Sequence, residues 1–379
     1  MSPTPVTFTT PNAPSTYSWE ATDDEVAARY GVDPARIVRF DLNTSPTPPA
    51  LMGRLLAAGR FEVPLSEYPP TDYRRLVEAA AARYGVSPAE ILVGAGADEV
   101  LDIVAKVFIP AGGTAVVPTP TYAMYRVLTE QRRATVIAVP RLGAADGWAL
   151  DRAALRAAVA DHGASVVWLC SPNNPTALPE PDGAIAALLA DLAADAAAAG
   201  HAPPVVVLDE AYAEFVGSSL VGLREAYPDL VVVRTASKAY ALAGLRVGFA
   251  LARPELVGRL NPFRPPGSVS TVSVSLVTEA LLDPSILDAN LARVERERAR
   301  LTRALRAIGW SVGPSVTNFV LVDFGTVERA AAVAEALLSH GLVPRTFGEG
   351  HPLADHLRLT VRDPDENDRL IAVAKETAS

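Results

Sequence analysis

Residues 205–212 read Val-Val-Val-Leu-Asp-Glu-Ala-Tyr, four apolar side chains followed by two carboxylates and an aromatic. A strand with one wet face alternates apolar and polar residues. An unbroken apolar run belongs to a strand covered by helices on both faces. Asp209 then stands at the carboxyl end of such a strand, where ligands bind in open α/β sheets. A carboxylate beside an apolar core needs a cationic or hydrogen-bonding partner. A salt-bridged strand end would satisfy the same residues.

The same kind of run recurs at Ile91–Val93, Thr114–Val117, Thr135–Val139, Ser165–Leu169, Leu230–Arg234 and Val247–Leu251. Helical patterns fill the intervals, at Thr71–Tyr84, Asp98–Val107, Tyr122–Gln131, Asp151–Val159 and the Ala-rich 184–200. Alternation of this kind predicts an α/β fold with a mostly parallel central sheet and helices on both faces. After Pro262 the pattern changes. A long helical stretch runs from Val269 to about Ile308, followed by a strand Asn318–Val322 and a helix Val327–His340. A short strand near Leu342–Val343, a strand His356–Thr360 and a helix after Pro364 complete a smaller α+β domain. The expected division is an N-terminal arm 1–40, a large domain 41–262 and a small domain 263–379, with 41–66 open to joining the small domain. Residues 1–20, rich in Pro, Thr and Ser, read as a flexible arm.

Composition narrows the class. The chain has 379 residues, 49% of them apolar and 20% charged, enough for a sizeable core and too apolar for disorder. The net charge of −9 argues against a general nucleic-acid binder. One cysteine, Cys170, excludes an internal disulfide and any Cys-based zinc site or cluster. The start of the chain lacks the basic and apolar regions of a secretory signal, and no apolar run reaches the roughly 18–20 residues that span a bilayer. No membrane association is expected, and a reducing cytoplasm is the default location.

Four segments fall just after strands. Gly94-Ala95-Gly96-Ala97-Asp98-Glu99 opens a helix, whose free N–H groups and positive dipole end suit an anion; an ordinary tight turn capped by Asp98 fits equally. A dinucleotide fingerprint would need a third glycine where Glu99 stands. Ser171-Pro172-Asn173-Asn174-Pro175 is a rigid turn presenting amides. Asp209-Glu210-Ala211-Tyr212 follows the most apolar strand. Thr235-Ala236-Ser237-Lys238 places an amine among small residues, with Arg246 eight positions on. A desolvated lysine near positive charge can act as a nucleophile, although a surface lysine is the commoner case. In this order the segments supply an anion cradle, an amide, a carboxylate and an amine on successive strand ends. Pyridoxal phosphate requires that set: an amine for a Schiff base, a carboxylate facing the pyridine nitrogen, and N–H groups, a hydroxyl and an Arg for its phosphate.

With these residues in hand, the sequence resembles the fold-type I pyridoxal-phosphate-dependent aminotransferases and, within them, the histidinol-phosphate aminotransferase family. The stretches that carry the resemblance are EYPPTDYRRL (67–76), ILVGAGADEVLD (91–102), VPTPTYAMY (117–125), CSPNNPTA (170–177), VVVLDEAYAEF (205–215), RTASKAYALAGLRVGFA (234–250), TNFVLVDF (317–324) and LRLTVRDPDENDRL (357–370). The resemblance implies transamination between an amino donor, histidinol phosphate or a similar compound, and a 2-oxo acid such as 2-oxoglutarate, in a cytoplasmic homodimer. It implies that Lys238 carries the cofactor and shuttles the proton, and that Asp209 pairs with the pyridine N–H. Tyr122 would stack on the ring, with Asn174 and Tyr212 at its phenolic oxygen. The Ala97 and Asp98 amides, Ser237 and Arg246 would hold the phosphate. Tyr68 would cross to the neighbouring subunit's cofactor. Arg358 would bind the substrate's acidic group, with Arg345 a second candidate; Asn43 and Asn174 complete the substrate set.

The pattern departs from the family at Leu42-Asn43-Thr44-Ser45-Pro46, at Ala95, at Ala177, at Tyr240-Ala241 and at Arg264–Ser270, where the substrate side chain and an active-site lid would lie. An aromatic or broad-specificity amino-acid aminotransferase, or a specialised-metabolism paralogue, therefore stays open as a reading. A non-catalytic binding module would be free to lose Lys238, Asp209 or Arg246, and all three are present. The five histidines show no metal spacing. Cys170 reads as a buried inert thiol and the Arg/Glu run in 292–306 as a solvated helix face. Tyr17 and Trp19 break the polarity of the arm; anchoring on a partner subunit and lining the substrate entrance both suit them.

Overall fold

The computed structural model describes residues 15–59 and 61–377. Its first elements are α1 (Asp23–Tyr30), β1 (Val38–Arg39), α2 (Ala50–Ala58) and α3 (Arg74–Tyr84). Next come β2 (Ile91–Gly94), α4 (Gly96–Phe108), β3 (Thr114–Thr119), α5 (Met124–Gln131), β4 (Thr135–Pro140), α6 (Arg152–His162), β5 (Val166–Cys170), α7 (Ala184–Ala199), β6 (Val205–Asp209), β7 (Leu230–Thr235) and β8 (Gly248–Leu251). The last stretch holds α8 (Pro254–Leu260), α9 (Thr271–Leu282), α10 (Pro284–Ala307), β9 (Ser311–Val312), β10 (Phe319–Asp323), α11 (Val327–Ser339), β11 (Leu342–Val343), β12 (His356–Thr360) and α12 (Pro364–Glu376).

Seven strands form the main sheet in the order β2-β8-β7-β6-β5-β3-β4, parallel except for β8, which runs against both neighbours. Their apolar runs divide residue by residue. Val206, Leu208, Leu230 and Val232 face one core, and Val205, Val207, Val231 and Val233 face the other. Period-two geometry with apolar cover on both sides is why these strands carry no polar alternation. A smaller antiparallel sheet, β12-β10-β9, packs with α11 and α12 around Trp310, Phe324 and Leu337. β1 pairs in parallel with β11, tying the start of the described chain to this second layer.

Register brings the four loops together. Cys170 sits opposite Asp209, so the loops that follow them lie side by side. Gly248 pairs with both Gly94 and Thr235, which brings the start of α4 and the lysine loop against one another.

Three expectations change. The stretch 269–308 is two helices, broken at Asp283–Pro284. Asp283 caps the second through Ser285 N–H, and Pro284 at its first position has no N–H to continue the first. α9 lies with the core of the large sheet, whereas α10 runs on toward the small one, so residues after 262 feed both layers. The Arg/Glu run is a solvated face only in part: Glu295, Arg296, Arg303 and Arg306 are exposed, but one edge is covered. Glu297 is buried between Arg300 and Asn367, and Arg293 reaches Asp363, because α10 packs against α12. The arm expected as flexible falls in two parts. Its residues 1–14 lie outside the described residues; from Ser15 on it is held to the body, and a helix follows. α1 begins on a capping box, Thr22 with Glu25, and ends on Gly31 in the left-handed region.

Candidate active site

The converging loops enclose a cavity of about 500 Å³ lined by Ala97, Asp98, Tyr122, Asn174, Asp209, Tyr212, Ser237, Lys238, Arg246, Arg358 and Asn43. One end is built for an anion. α4 starts at Gly96, and its N-cap, Ala95, offers no side-chain acceptor, which leaves the first-turn N–H groups for a ligand. Arg246 lies across this turn in the left-handed region, φ 51°. A Cβ on Gly96 would stand 2.4 Å from Arg246 Nη2, and one on Gly248 would stand 2.4 Å from the Gly96 carbonyl carbon. Only glycine permits both approaches. Asp98 accepts from Tyr122 Oη at 3.0 Å and pairs with Arg246 at 3.2 Å. Thr235 Oγ1 donates to Ser237 Oγ at 2.9 Å and accepts from Ser237 N–H, setting that hydroxyl at the rim.

Deeper in, Asp209 is buried, with Tyr125 Oη donating to Oδ2 at 2.8 Å and the Ala211 N–H donating to Oδ1 at 2.9 Å. Among the described residues no cation forms an ion pair with it. Burial, only partly opposed by these two donors, pushes its carboxyl up to about 6. The site therefore wants a positive group facing Asp209. Lys238 Nζ lies 3.4 Å from Leu42 O and over the Tyr212 ring. Burial, with Arg358 adding positive charge nearby, pulls its ammonium down to about 8, so a neutral amine is accessible near neutral pH.

The third wall comes from the small sheet and the segment before α2. Arg358, on β12, is buried. Its Nη1 donates to Asn174 Oδ1 at 2.5 Å and its Nη2 to the Asp41 carbonyl, while Nε has no partner. The bond to Arg358 takes the Asn174 carbonyl and assigns the amide's other edge as donor. Asn43, itself in the left-handed region at φ 52°, donates from Nδ2 to Tyr212 Oη at 3.0 Å. Burial raises the Tyr212 hydroxyl above its ordinary range, keeping it protonated.

Two expected site residues stand apart. Arg345 does not line the cavity. Its Nη1 donates to Ser18 O at 2.6 Å and its guanidinium lies over the Tyr17 ring, so the arm holds it. Tyr68 is 89% exposed and lines a separate surface hollow with Leu65 and Gly267. Tyr125 is a residue the sequence reading passed over, although it lies one helical turn from Tyr122, inside a stretch quoted for the resemblance. Cys170 is buried as expected, and burial pushes its thiol up to about 12.

The family described as aminotransferase class I and II matches residues 41–373. A histidinol-phosphate aminotransferase of Symbiobacterium thermophilum is 37% identical over 89% of this chain and 90% of its own length. One from Roseiflexus castenholzii is 35% identical over 94% and 93%. The crystal structure of histidinol-phosphate aminotransferase from Sinorhizobium meliloti, in complex with pyridoxal-5'-phosphate, superposes with a TM-score of 0.84 at 27% identity, covering 95% of each chain. The chain belongs to the aminotransferase class I and II family and is a relative of the histidinol-phosphate aminotransferases, a fold-type I enzyme dependent on pyridoxal phosphate. The residues fit that cofactor. The uncapped α4 turn with Arg246 suits its phosphate, the buried lysine with its depressed ammonium suits its aldehyde, and the buried Asp209, which forms no ion pair among the described residues, suits its ring nitrogen.

Proposed function

We propose that this aminotransferase transfers the amino group of histidinol phosphate, or an amino donor close to it, to 2-oxoglutarate. The names of the relatives support the donor. The observation that carries the chemistry is the meeting, in one pocket, of the buried Lys238 amine, its ammonium depressed, with a buried Asp209 that forms no ion pair among the described residues.

Pyridoxal phosphate, when bound, supplies an electron sink for negative charge at the substrate Cα. The rest falls to the chain. The first-turn N–H groups at Ala97 and Asp98, the Ser237 hydroxyl and Arg246 grip the phosphate. Asp209, with both oxygens fixed by Tyr125 and Ala211, holds the proton at the ring nitrogen. Tyr122 covers the ring, and the Asn174 amide and Tyr212 hydroxyl donate toward its phenolic oxygen. Lys238 would hold the cofactor through its amine, and its Nζ, whose ammonium burial depresses, would take a proton from the substrate Cα and give it back. Arg358, whose side chain lines the pocket, binds the acidic group shared by donor and acceptor.

The division into arm, large domain and small domain belongs to this reading, with α9 and the start of α10 counted to the large domain whose core they fill, as does a cytoplasmic homodimer. The exposure of Tyr68 and of Leu65 supports a dimer in which Tyr68 would reach a second copy's phosphate site. No helix among the described residues is long and apolar enough to cross a membrane.

The test is a single-turnover screen of the pyridoxal form. Histidinol phosphate should bleach its visible absorption faster than phenylalanine, tyrosine or other amino acids, and glutamate should do so as the second partner. Much faster conversion by phenylalanine or tyrosine would make the enzyme an aromatic aminotransferase instead. Borohydride trapping should label Lys238; a label on any other lysine would sink the mechanism.

A further inference from the structure

The reaction as described leaves the arm's aromatic pair unused. Residues 15–20 cross the mouth of the cavity and are tied down on both sides. The Ser15 N–H donates to Glu130 Oε2 of α5 at 3.0 Å. On the small-sheet side, Arg345 donates to Ser18 O, and Glu20 Oε1 accepts the Thr346 N–H at 2.7 Å. Between these ties Tyr17 packs 6.1 Å from the Tyr122 ring, and both Tyr17 and Trp19 line the cavity. Trp19 meets Tyr17 edge-on at 4.7 Å, yet remains 71% exposed. A large apolar ring left in water at a pocket mouth, on a backbone fastened to its own chain, has a face to spare.

The two half-reactions share one pocket and one Arg358 but not one substrate shape. The donor brings a flat ring, and the acceptor acid is an open chain. We propose that Trp19 is a specificity-determining residue, whose free face packs against the ring of the amino donor at the cavity mouth and makes no equivalent contact with the acyclic acid. Aromatic rings pack in offset or edge-to-face arrangements at about 4.5–7 Å, and indole is the best partner for an imidazolium. The strap also explains Arg345. With Ser18, Glu20 and Tyr17 holding it, this arginine positions the strap instead of lining the cavity.

The inference rests on the transaminase reading but not on the identity of the donor, and the experiment separates the two. Trp19→Ala and Trp19→Phe holoenzymes are compared with the wild type in single-turnover half-reactions with histidinol phosphate, phenylalanine and glutamate. Trp19→Ala should lower kcat/KM for whichever ring donor is used about three- to tenfold more than for glutamate, chiefly through KM. Trp19→Phe should recover most of the loss. Binding is read separately from turnover, with 3-phenylpropionate and glutarate as unreactive acids titrated into the holoenzyme. The ring acid alone should weaken in Trp19→Ala. Equal losses for ring and open-chain ligands, or none, would overturn the proposal. So would conversion of a wild-type dimer to monomer in Trp19→Ala on sedimentation, which would make the ring a subunit anchor. If histidinol phosphate fails as donor while phenylalanine works and shows the selective loss, the assigned substrate falls and this inference stands.

Discussion

Tyr125→Phe removes one oxygen and keeps a ring that stacks on Trp168 at 5.4 Å with 7° between planes, so it isolates one hydrogen bond. That bond, 2.8 Å to Asp209 Oδ2, is made to a buried carboxylate, and hydrogen bonds to charged groups contribute about 1.5–3 kcal/mol. At 1.36 kcal/mol per pKa unit, its loss lifts the Asp209 carboxyl from about 6 by roughly one to two units. The groups around it are Ala211 N–H, Asp98 and Lys238, which the substitution leaves in place, and the Cys170 thiol, which also faces Tyr125 and which burial keeps protonated. The sign follows directly. A folded-state pKa above the reference 3.8 means the protonated acid is the form the fold prefers. The stability it contributes to cofactor-free protein is complete below 3.8 and is lost as pH rises through about 6; over that rise of about two units the loss is roughly 3 kcal/mol. In Tyr125→Phe the loss should continue to roughly pH 7–8. Cofactor capture needs the ionised carboxylate, so at pH 7 the variant should bind pyridoxal phosphate roughly two- to tenfold more weakly, the ratio of the fractions ionised at those pKa values, with the deficit closing by about pH 9. Equilibrium titration of cofactor-free enzyme across pH 6–9, paired with urea unfolding, reads both effects. A variant that tracks the wild type at every pH, or that is uniformly weaker, would refute the assignment of Tyr125 as the group that keeps Asp209 charged.

Lys238→Ala should lower transamination by at least ~10²–10⁴-fold and abolish borohydride labelling, which activity assays and peptide mapping check together. Arg358→Ala should raise KM for donor and acceptor roughly 10–100-fold, because a charged fork contributes about 1.5–3 kcal/mol, while the visible spectrum of the bound cofactor stays in place. A bleached cofactor with unchanged KM would mean that the substrate pocket lies elsewhere. Gly96→Ala should weaken cofactor affinity without loss of secondary structure by circular dichroism, since its Cβ, at φ 83°, would displace the Arg246 guanidinium.

Much of the fold was readable because the main sheet is buried on both faces. Val205–Leu208 could be nothing but apolar with one core above it and another below. The cofactor loops were readable for a related reason. They hang on strand ends, so the order of strands in the sequence is the order in which Asp209 and Lys238 enter the pocket. What depends on packing between distant segments was not readable. Glu297 looks like one charge among many on a polar helix until α12 covers it. Tyr125 looks like any helix tyrosine until the sheet register sets Asp209 beneath it. The two arginines after β11 are the sharpest case. Arg345 and Arg358 bridge each other across neighbouring backbone, and residue type alone makes them equal candidates for an anion. Arm contacts more than 300 positions away in sequence decide between them.

The same geometry explains why the pocket is assembled from both layers rather than from the large sheet alone. The large sheet supplies what the cofactor needs at fixed positions: the α4 turn, Asp209 and Lys238. The small sheet supplies Arg358, but it is not independent of the cofactor side. Arg358 bonds Asn174 of the large layer and the Asp41 carbonyl, and Asn43, two residues on, bonds Tyr212. A shift of the small layer that moved Arg358 would therefore pull on the two groups placed at the cofactor's phenolic oxygen. Buried polar groups tolerate little loss of partners, so the cheapest motion carries Arg358, the Asn43 segment and the strap together. An anion bound at Arg358, as proposed for the substrate, would bear on Asn174 and, through the Asn43 segment, on Tyr212 by hydrogen bonds already present.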